Sequence, residues 1–325
     1  MSGNTVISLF AGGGGSSLGY ELAGFKELLA VEYDGNAIET LKANFDFDIW
    51  QKDITEIKDG EILQRCNIKK GELDVLDGSP PCQRFSTAGK RQVNDLRNDL
   101  YKSYIRILKD LEPKVFVMEN VSGMMKGKMK GRFNEILKDL KSLNYNVKCK
   151  LMNAKYYNVP QSRERLIFIG VRKDLNIEPS FPKPSNKVIT VRDAIKNCNN
   201  TEIKIPKGDI DRYYDKIKIG SDLASYYESI GMKRKSFSCK KVNPNKPLNT
   251  LTKLFSEGMS GLLHWGEKRF MTIEELKRCC SFPDNYILIG KFKDKWSRLG
   301  NAVMPNMMKA IAENIKINIL DLIKD

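Results

Sequence analysis

The chain has 325 residues, 41% of them apolar, which is enough to bury a sizeable core and argues against a disordered protein. Its 55 Lys and Arg residues against 40 Asp and Glu give a formal charge of +15, which suits a polyanionic partner, although a lysine-rich solvated surface would give the same number. Seven cysteines without a C-x-x-C pair, together with a single histidine, argue against a disulfide framework, a metal site and catalysis by histidine.

Short β-branched runs alternate with amphipathic stretches from residue 5 to about residue 172. This alternation predicts an α/β domain with a doubly wound parallel sheet covered by helices. The predicted strands are residues 6–10, 28–32, 73–77, 115–119 and 165–171, and the predicted helices are residues 100–111 and 133–143.

The texture of the chain changes after residue 174. Prolines, asparagines and lysines become frequent and the periodicity weakens up to about residue 268, which predicts a smaller irregular domain. Helical spacing returns at 272–280 and at 305–323. Because no apolar run reaches the roughly 18 residues that a membrane span needs, and the cysteines indicate a reducing compartment, we expect a soluble cytoplasmic protein.

A glycine cluster follows the first predicted strand, at Phe10-Ala11-Gly12-Gly13-Gly14-Gly15. Backbone amides there can approach a ligand, but Ser17 replaces the third glycine of a nicotinamide-type fingerprint. Glu32 ends the second strand, where a carboxylate could accept both hydroxyls of a ribose, and Tyr33 could stack on an adenine. Asp53 follows the next strand and could accept from an adenine amino group. Either carboxylate could equally be a helix cap.

The segment Asp77-Gly-Ser-Pro-Pro-Cys-Gln83 directly follows the fourth strand. Loops at the carboxyl ends of such strands line the active crevice, and this loop presents Cys82 after two prolines. Prolines fit poorly inside regular structure, which argues against Cys82 being a buried small apolar residue. The pattern predicts a nucleophilic cysteine.

Two further segments place polar groups at the ends of predicted strands. Val115-Phe-Val-Met-Glu-Asn-Val121 ends in Glu119, a candidate general acid, and Asn120. Gln161-Ser-Arg-Glu-Arg165 precedes the last strand; Arg165 could bind a carbonyl oxygen, whereas Arg163 has a structural alternative in pairing with an acid.

Together these blocks resemble the conserved blocks of cytosine-5 DNA methyltransferases of the bacterial restriction-modification type. The blocks that carry the resemblance are Phe10-x-Gly12-x-Gly14-Gly15, Pro80-Pro81-Cys82-Gln83, Glu119-Asn120-Val121, Gln161-x-Arg163-x-Arg165, residues 269–283 and Gly300-Asn301-Ala302-Val303. They cover nearly the whole chain except residues 174–268, where the family carries its variable target recognition domain.

The resemblance implies S-adenosylmethionine as cofactor, double-stranded DNA as substrate and the functional pairing of some members with a restriction endonuclease. It implies a Rossmann-like methyltransferase domain of residues 1–173 completed by 290–325, a target recognition domain of residues 174–289, and no metal. The implied catalytic residues are Cys82, Glu119, Asn120, Arg163 and Arg165. The implied cofactor contacts are Phe10, Ala11, Gly12, Gly13, Gly15, Glu32, Tyr33, Asp53, Ile54, Pro80, Asn301 and Ala302. The implied DNA contacts are Gln83, Arg84, Ser86, Lys90, Arg91, Arg97, Lys233, Arg234, Lys235, Thr250, Leu251 and Lys253.

Two positions depart from the family pattern: Arg84 replaces a small residue after Pro-Cys-Gln, and Ala302 replaces a frequent hydroxyl residue. An RNA cytosine methyltransferase of the tRNA-modifying branch is an alternative, although its Cys-Phe-Thr element is not found and only Ser236-Phe-Ser-Cys239 comes near it. A catalytically silent DNA-binding regulator is another, which would be expected to lack Cys82, Glu119 or Arg165. The glycine spacing disfavours a nicotinamide oxidoreductase.

Overall fold

The computed structural model describes residues 3–81, 100–125, 130–232 and 239–323. The chain divides into two compact units. Unit 1 comprises Met1–Asn153, Glu164–Lys183 and Met307–Asp325, and unit 2 comprises Ala154–Arg163 and Pro184–Asn306. Among the described residues, no helix is both long and apolar enough to cross a membrane.

The strands and helices of the described residues are numbered in chain order. The strands are β1 (Thr5–Leu9), β2 (Lys26–Glu32), β3 (Asp48–Gln51), β4 (Val75–Gly78), β5 (Val115–Val121), β6 (Tyr145–Asn153), β7 (Gln161–Ser162), β8 (Glu164–Arg172), β9 (Lys240–Lys241), β10 (Leu248–Asn249) and β11 (Leu262–Leu263). The helices are α1 (Gly15–Leu22), α2 (Gly35–Lys42), α3 (Glu61–Cys66), α4 (Leu100–Leu111), α5 (Lys130–Lys141), α6 (Val191–Ala194), α7 (Asp209–Tyr213), α8 (Leu223–Ser229), α9 (Ile273–Cys279), α10 (Phe292–Asn301) and α11 (Pro305–Asn318).

In the described part of unit 1, seven strands form one sheet in the order β3-β2-β1-β4-β5-β8-β6. The strands from β3 across to β5 pair in parallel, whereas β8 runs antiparallel to both β5 and β6. The strand order reverses between β1 and β4, and ligands of open α/β sheets bind beyond the carboxyl ends of the strands at such a point. The predicted doubly wound, Rossmann-like α/β fold is confirmed, but the prediction of a parallel sheet is wrong for β8, which makes the sheet mixed.

The bounds of all five predicted strands differ from the observed ones by one or two residues. β1 keeps its predicted length of five residues but ends at Leu9, because Phe10 has a φ of 58°, a left-handed conformation in which extended pairing stops. The glycine loop therefore starts at Phe10. β4 begins at Val75 rather than at residue 73 and is one residue shorter than predicted.

Helix α4 has the predicted bounds, and its buried face repeats every three or four residues. Tyr104 on this face packs so closely on Gly78 that a Cβ added to the glycine would lie 2.6 Å from the ring. The Tyr104 hydroxyl also donates to the carbonyl oxygens of Leu76, at 3.3 Å, and Val117, at 3.0 Å. Tyr104 therefore fixes the end of β4 against β5.

Unit 2 is built from short elements. Its strands pair as β7 with β10 and β9 with β11. Helices α6, α7 and α8 have four, five and seven residues, so the segment predicted to be irregular contains more helix than expected. Helices this short give little periodicity in a sequence.

The two helices predicted near the end of the chain are present. α9 begins after Thr272, whose side chain forms a capping box with Glu275. α11 begins at Pro305, a residue suited to the first helical turn, and ends at Asn318. The prediction extended this helix to residue 323, but Ile319, with φ −133° and ψ −65°, interrupts it before a 3-10 turn at Leu320–Leu322.

A buried ion pair lies in unit 2. Arg269 and Glu275 have side chains only 5% and 2% exposed, and the guanidinium donates to both carboxylate oxygens of Glu275, at 2.8 and 2.9 Å. The same carboxylate accepts from the backbone of Thr272 at 2.9 Å. Full pairing of this kind is what allows a charged pair to be buried.

Candidate active site

The candidate site of unit 1 lies at the edge of the sheet where β1, β4 and β5 end. β8 runs the opposite way, so it starts at this edge, and Arg165 near its start pairs with Val121 at the end of β5. The sheet therefore brings the glycine loop, the loop after β4, Glu119 and Arg165 to one edge, and Arg165 reaches that edge only because β8 is antiparallel.

The glycine loop has an unusual backbone at three positions: φ is 58° at Phe10, 57° at Gly12 and 78° at Gly14. A Cβ added to Gly12 would meet nothing within 4 Å, so the backbone conformation and not the available space requires glycine there. Gly14 precedes the first residue of α1. The glycine loop therefore places its own backbone and the N-terminus of α1 at the site.

Glu32 at the end of β2 holds this loop. One of its carboxylate oxygens accepts from the backbone of Gly12 at 2.7 Å, and the other accepts from the backbones of Tyr33 and Asp34, at 2.8 and 2.9 Å. A carboxylate offers about four acceptor positions, so these three bonds leave about one position open for a ribose hydroxyl. The Tyr33 side chain is 72% exposed, so its ring is accessible for stacking.

Asp53 caps a short 3-10 helix at Ile54–Glu56. Its Oδ1 accepts from the backbone and the hydroxyl of Thr55, at 2.9 and 2.7 Å. The capping alternative raised by the sequence is therefore present in the structure, and a contact from Asp53 to an adenine stays a prediction. Ile54 is 5% exposed and packs in the core of unit 1.

Glu119 and Arg165 form the charged centre of the site. Arg165 Nε lies 2.5 Å from Glu119 Oε1, and the two side chains are 13% and 11% exposed. Next to them, Asn120 Nδ2 donates to the carbonyl oxygen of Pro80 at 3.1 Å, and Asn120 Oδ1 accepts from the backbone of Val121 at 2.8 Å. Asn120 therefore anchors the loop that leads toward Cys82.

Arg163 lies in unit 2 and is 2% exposed. Its guanidinium donates to the carbonyl oxygens of Leu251, at 3.0 Å, and Gly300, at 2.9 Å. Nearby, Gln161 accepts from the backbone of Leu251 at 3.2 Å and donates to the sulfur of Cys280 at 3.2 Å. These contacts to backbone carbonyls support the structural alternative for Arg163, and a catalytic contact stays a prediction.

The other described residues of unit 2 that are predicted to contact DNA or the cofactor lie close in sequence to the partners of Arg163. Thr250 donates through its hydroxyl to the carbonyl oxygen of Ser162 at 2.8 Å, and Lys253 is exposed. Asn301 is exposed at the end of α10 and Ala302 follows it. Ten predicted residues lie outside the described residues: Cys82, Gln83, Arg84, Ser86, Lys90, Arg91, Arg97, Lys233, Arg234 and Lys235.

The sequence analysis assigned no role to two buried carboxyls beneath the site. Asp77, at 3% exposed, has its pKa raised to about 7, mainly by burial, against hydrogen bonding from Ser16. Glu27, at 9% exposed, has its pKa raised to about 8, again mainly by burial. An acid inside an apolar strand is the signal that could have identified both. Among the described residues, no group of three or more His, Cys, Asp or Glu side chains is placed to hold a metal ion.

Sequence comparisons with known proteins match a family of cytosine-specific DNA methylases and several type II methyltransferases. The family model described as C-5 cytosine-specific DNA methylase matches residues 4–317. The type II methyltransferase M1.HphI of Haemophilus parahaemolyticus is 37% identical over 331 residues, covering 96% of this chain and 86% of that protein. The type II methyltransferase M.NgoPII of Neisseria gonorrhoeae is 34% identical over 337 residues, covering 96% and 95%.

Solved structures agree with the fold. A prophage-encoded protein of Escherichia coli, described as a DNA modification methyltransferase, matches with a TM-score of 0.76 and 25% identity over 98% of this chain and 99% of its own. DNMT2 of Spodoptera frugiperda matches with a TM-score of 0.70 and 21% identity over 97% and 99%, a likeness of fold alone.

Proposed function

Because the chain belongs to the C-5 cytosine-specific DNA methylase family and is a DNA cytosine-5 methyltransferase of the bacterial restriction-modification type, we propose that it methylates a flipped-out cytosine within one short duplex sequence through a transient covalent bond to Cys82. The observation that carries the proposal is the Glu119–Arg165 pair, which lies beside Asn120 and the loop it anchors.

The glycine loop and Glu32 fit S-adenosylmethionine. When bound, this cofactor supplies an electrophilic methyl group on a sulfonium. The Glu32 carboxylate is fixed by three backbone amides and can still accept from a ribose hydroxyl. The exposed Tyr33 ring can stack on the adenine. Asp53 and Pro80 border the same sheet edge, and Asn301 is proposed to complete the contacts.

Each catalytic residue has one proposed task. Cytosine in a stacked pair is inaccessible, so the base is first flipped out, at a cost of a few kcal/mol. The Cys82 sulfur then bonds to carbon 6, and the ring electrons make carbon 5 nucleophilic. Glu119 holds and protonates the ring edge as charge develops, and Arg165 binds the base carbonyl. After carbon 5 accepts the methyl group, loss of its proton breaks the bond between carbon 6 and sulfur and restores the ring.

DNA binding is divided between two regions in this proposal. The segment after Cys82, including Arg84, Lys90, Arg91 and Arg97, closes over the flipped base and contacts phosphates. Residues 174–289 choose the target sequence, with Thr250, Leu251 and Lys253 near the base edges and residues 233–235 on phosphates. The setting is the cytoplasm of a bacterium or phage-infected cell, where some enzymes of this type are paired with a restriction endonuclease.

Trapping of the covalent bond tests the proposal. Bisulfite mapping of DNA from cells expressing the protein identifies the target, and a duplex with 5-fluorocytosine at that position should then form an adduct when cofactor is present. Cys82→Ala should form none. An adduct that persists in Cys82→Ala contradicts the assignment of the nucleophile, and labelling of tRNA instead of duplex DNA contradicts the substrate.

The role of Glu119 is tested by comparing rate with affinity. Glu119→Gln should lower the single-turnover methylation rate by about 10²–10⁴-fold, because its contact strengthens as the ring gains charge, while the dissociation constant for DNA changes little. Glu39→Gln is the matched control, since Glu39 is an exposed surface residue that pairs with Lys42 at 3.3 Å. Equal losses in rate and affinity would mean that Glu119 merely supports the loop.

A further inference from the structure

A row of buried polar side chains crosses the sheet of unit 1 on the face covered by α1. The register pairs Ser8 with Asp77 and Val6 with Glu27, and paired residues of parallel strands point to the same face. Asp77 also pairs with Val117, two residues before Glu119. Glu27, Ser8, Asp77 and Glu119 therefore share one face of four adjacent strands, and the row ends at the proposed catalytic acid.

Asp77 is the member of this row that joins the end of β4 to α1. Its Oδ1 accepts from the hydroxyl of Tyr20 at 3.4 Å, and Ser16 at the start of α1 also hydrogen-bonds to its carboxyl. Since α1 directly follows the glycine loop, these bonds connect the proposed cofactor side to the strand that precedes Cys82.

The chain between Asp77 and Cys82 has little freedom. The ring of Tyr104 blocks the other face at Gly78, as the 2.6 Å approach to an added Cβ indicates. Ser79 donates to the carbonyl oxygen of Phe10 at 3.4 Å, and Pro80 accepts from Asn120 at 3.1 Å. A shift of Asp77 would therefore be passed to the loop and not absorbed before it.

We propose that Asp77 is a positioning residue whose buried carboxyl ties the end of β4 to α1 and so holds the Cys82 loop in register with the glycine loop that binds the methyl donor. This inference rests on the proposed function. In the proposed reaction, Asp77 contacts neither the cytosine nor the methyl donor. It acts through the position of the Cys82 loop.

Among the described residues, the titratable groups that interact with Asp77 are acidic. Tyr20 from α1, Glu27 from β2 and Glu119 from β5 lie on its face of the sheet, and Tyr104 from α4 lies on the opposite face. Burial and the charge of Glu119 raise the pKa of Asp77 to about 7, and below that pH the neutral acid can both accept and donate hydrogen bonds. Ionisation leaves the Asp77 carboxylate able only to accept hydrogen bonds and places a second negative charge on the face that holds Glu119.

The test compares Asp77→Asn with the wild type across pH. The amide stays neutral, so the ratio of its single-turnover rate to the wild-type rate should rise about tenfold between pH 6 and pH 8, as the wild type ionises. Asp77→Ala, which loses both the bonds and the shape, should be at least tenfold slower than Asp77→Asn at pH 6. Thermal unfolding and cofactor binding at pH 6 check that both variants are folded.

Asp74→Asn is the matched control. Asp74 directly precedes β4 at the opposite edge of the sheet and pairs with Lys114 at 2.7 Å, so its loss should lower stability and leave the pH profile unchanged. A flat ratio for Asp77→Asn in an active enzyme overturns the inference, as does an Asp77→Asn rate equal to that of Asp77→Ala. A wild type without adduct or methylation overturns the proposed function, and this inference with it.

Discussion

The two units bury carboxyl groups in different ways. In unit 1, Glu27 and Asp77 lie among hydroxyl groups, and burial raises their pKa values to about 8 and about 7. In unit 2, Glu275 is buried against Arg269, which keeps its charge at every physiological pH. A buried carboxyl group with a raised pKa loses its proton near neutral pH, whereas a guanidinium keeps its proton there. Unit 1 should therefore respond to pH near neutrality, whereas the buried charge of Arg269 in unit 2 does not titrate in that range.

The single histidine does not alter this contrast. His264 lies in unit 2 and is 6% exposed, and its Nδ1 accepts from the backbones of Gly266 and Glu267, at 3.2 and 3.1 Å. Burial, followed by the charge of Arg269, lowers its pKa below the usual value of 6.5. It is therefore less protonated than an ordinary histidine over the range in which Glu27 and Asp77 titrate.

The largest effect should come from removing the cation of unit 2. Arg269→Met leaves the Glu275 carboxylate buried without its partner, which should cost about 3–5 kcal/mol of the free energy of unfolding. Denaturant unfolding measures this loss. Adding Glu275→Gln to the same chain should recover part of it, because the amide removes the stranded charge and can still cap α9. If the free energy of unfolding does not recover, the loss in Arg269→Met comes from packing and not from the buried charge.

The next effect belongs to unit 1 and depends on pH. The folded chain holds a proton on Glu27 up to a pKa of about 8, whereas the ordinary value is 4.5, so the free energy of unfolding should fall as pH rises between these values. Glu27→Gln should remove up to about 1.4 kcal/mol of this fall per pH unit, or about 2–3 kcal/mol between pH 5.5 and 7.5. Parallel stability curves for the variant and the wild type would contradict neutral burial of Glu27.

A third prediction separates packing from charge within unit 2. A Cβ at Gly300 would lie 2.6 Å from the backbone of Thr252 and Lys253, so Gly300→Ala should cost about 1–3 kcal/mol at every pH. It should also displace the segment that holds Thr250 and Leu251. Gly258→Ala is the control, because an added Cβ there meets nothing within 4 Å. Similar losses of the free energy of unfolding in both variants would exclude a steric cause.

The smallest effect should come from an exposed pair of unit 2. Arg278 lies 2.6 Å from Asp284, with side chains 22% and 65% exposed. Arg278→Met should change the free energy of unfolding by less than about 1 kcal/mol, since solvent screens such pairs. A loss as large as that of Arg269→Met would mean that exposure does not govern the contrast between these two arginines.

Local patterns made much of unit 1 predictable. The glycine loop, the strand that carries Glu119 and the buried face of α4 can each be identified within about ten residues of sequence. The charged centre was not predictable in the same way. Arg165 meets Glu119 because β8 runs antiparallel to β5, whereas the sequence pattern predicted a parallel sheet.

What the sequence did not reveal depends on distant contacts. The sequence pattern marks Asp77 only as the first residue of the segment that contains Cys82. Its burial depends on the register of β4 with β1 and on Tyr20, 57 residues away. The partners of Arg163 are carbonyl oxygens 88 and 137 residues away, which no side-chain pattern marks. The cap at Asp53 was foreseen as an alternative because capping is local.

The return of the chain through Gln161 and Arg163 has a consequence for exchanging specificity between relatives. Unit 2 is made of two separate stretches, and the short one supplies β7, which pairs with β10, and the Arg163 guanidinium, which binds the carbonyl oxygens of Leu251 and Gly300. A transplant of residues 184–306 alone would separate these partners. We expect a hybrid that also carries the donor's residues 154–163 to fold and bind cofactor more often than one that does not, so the portable module is discontinuous in sequence.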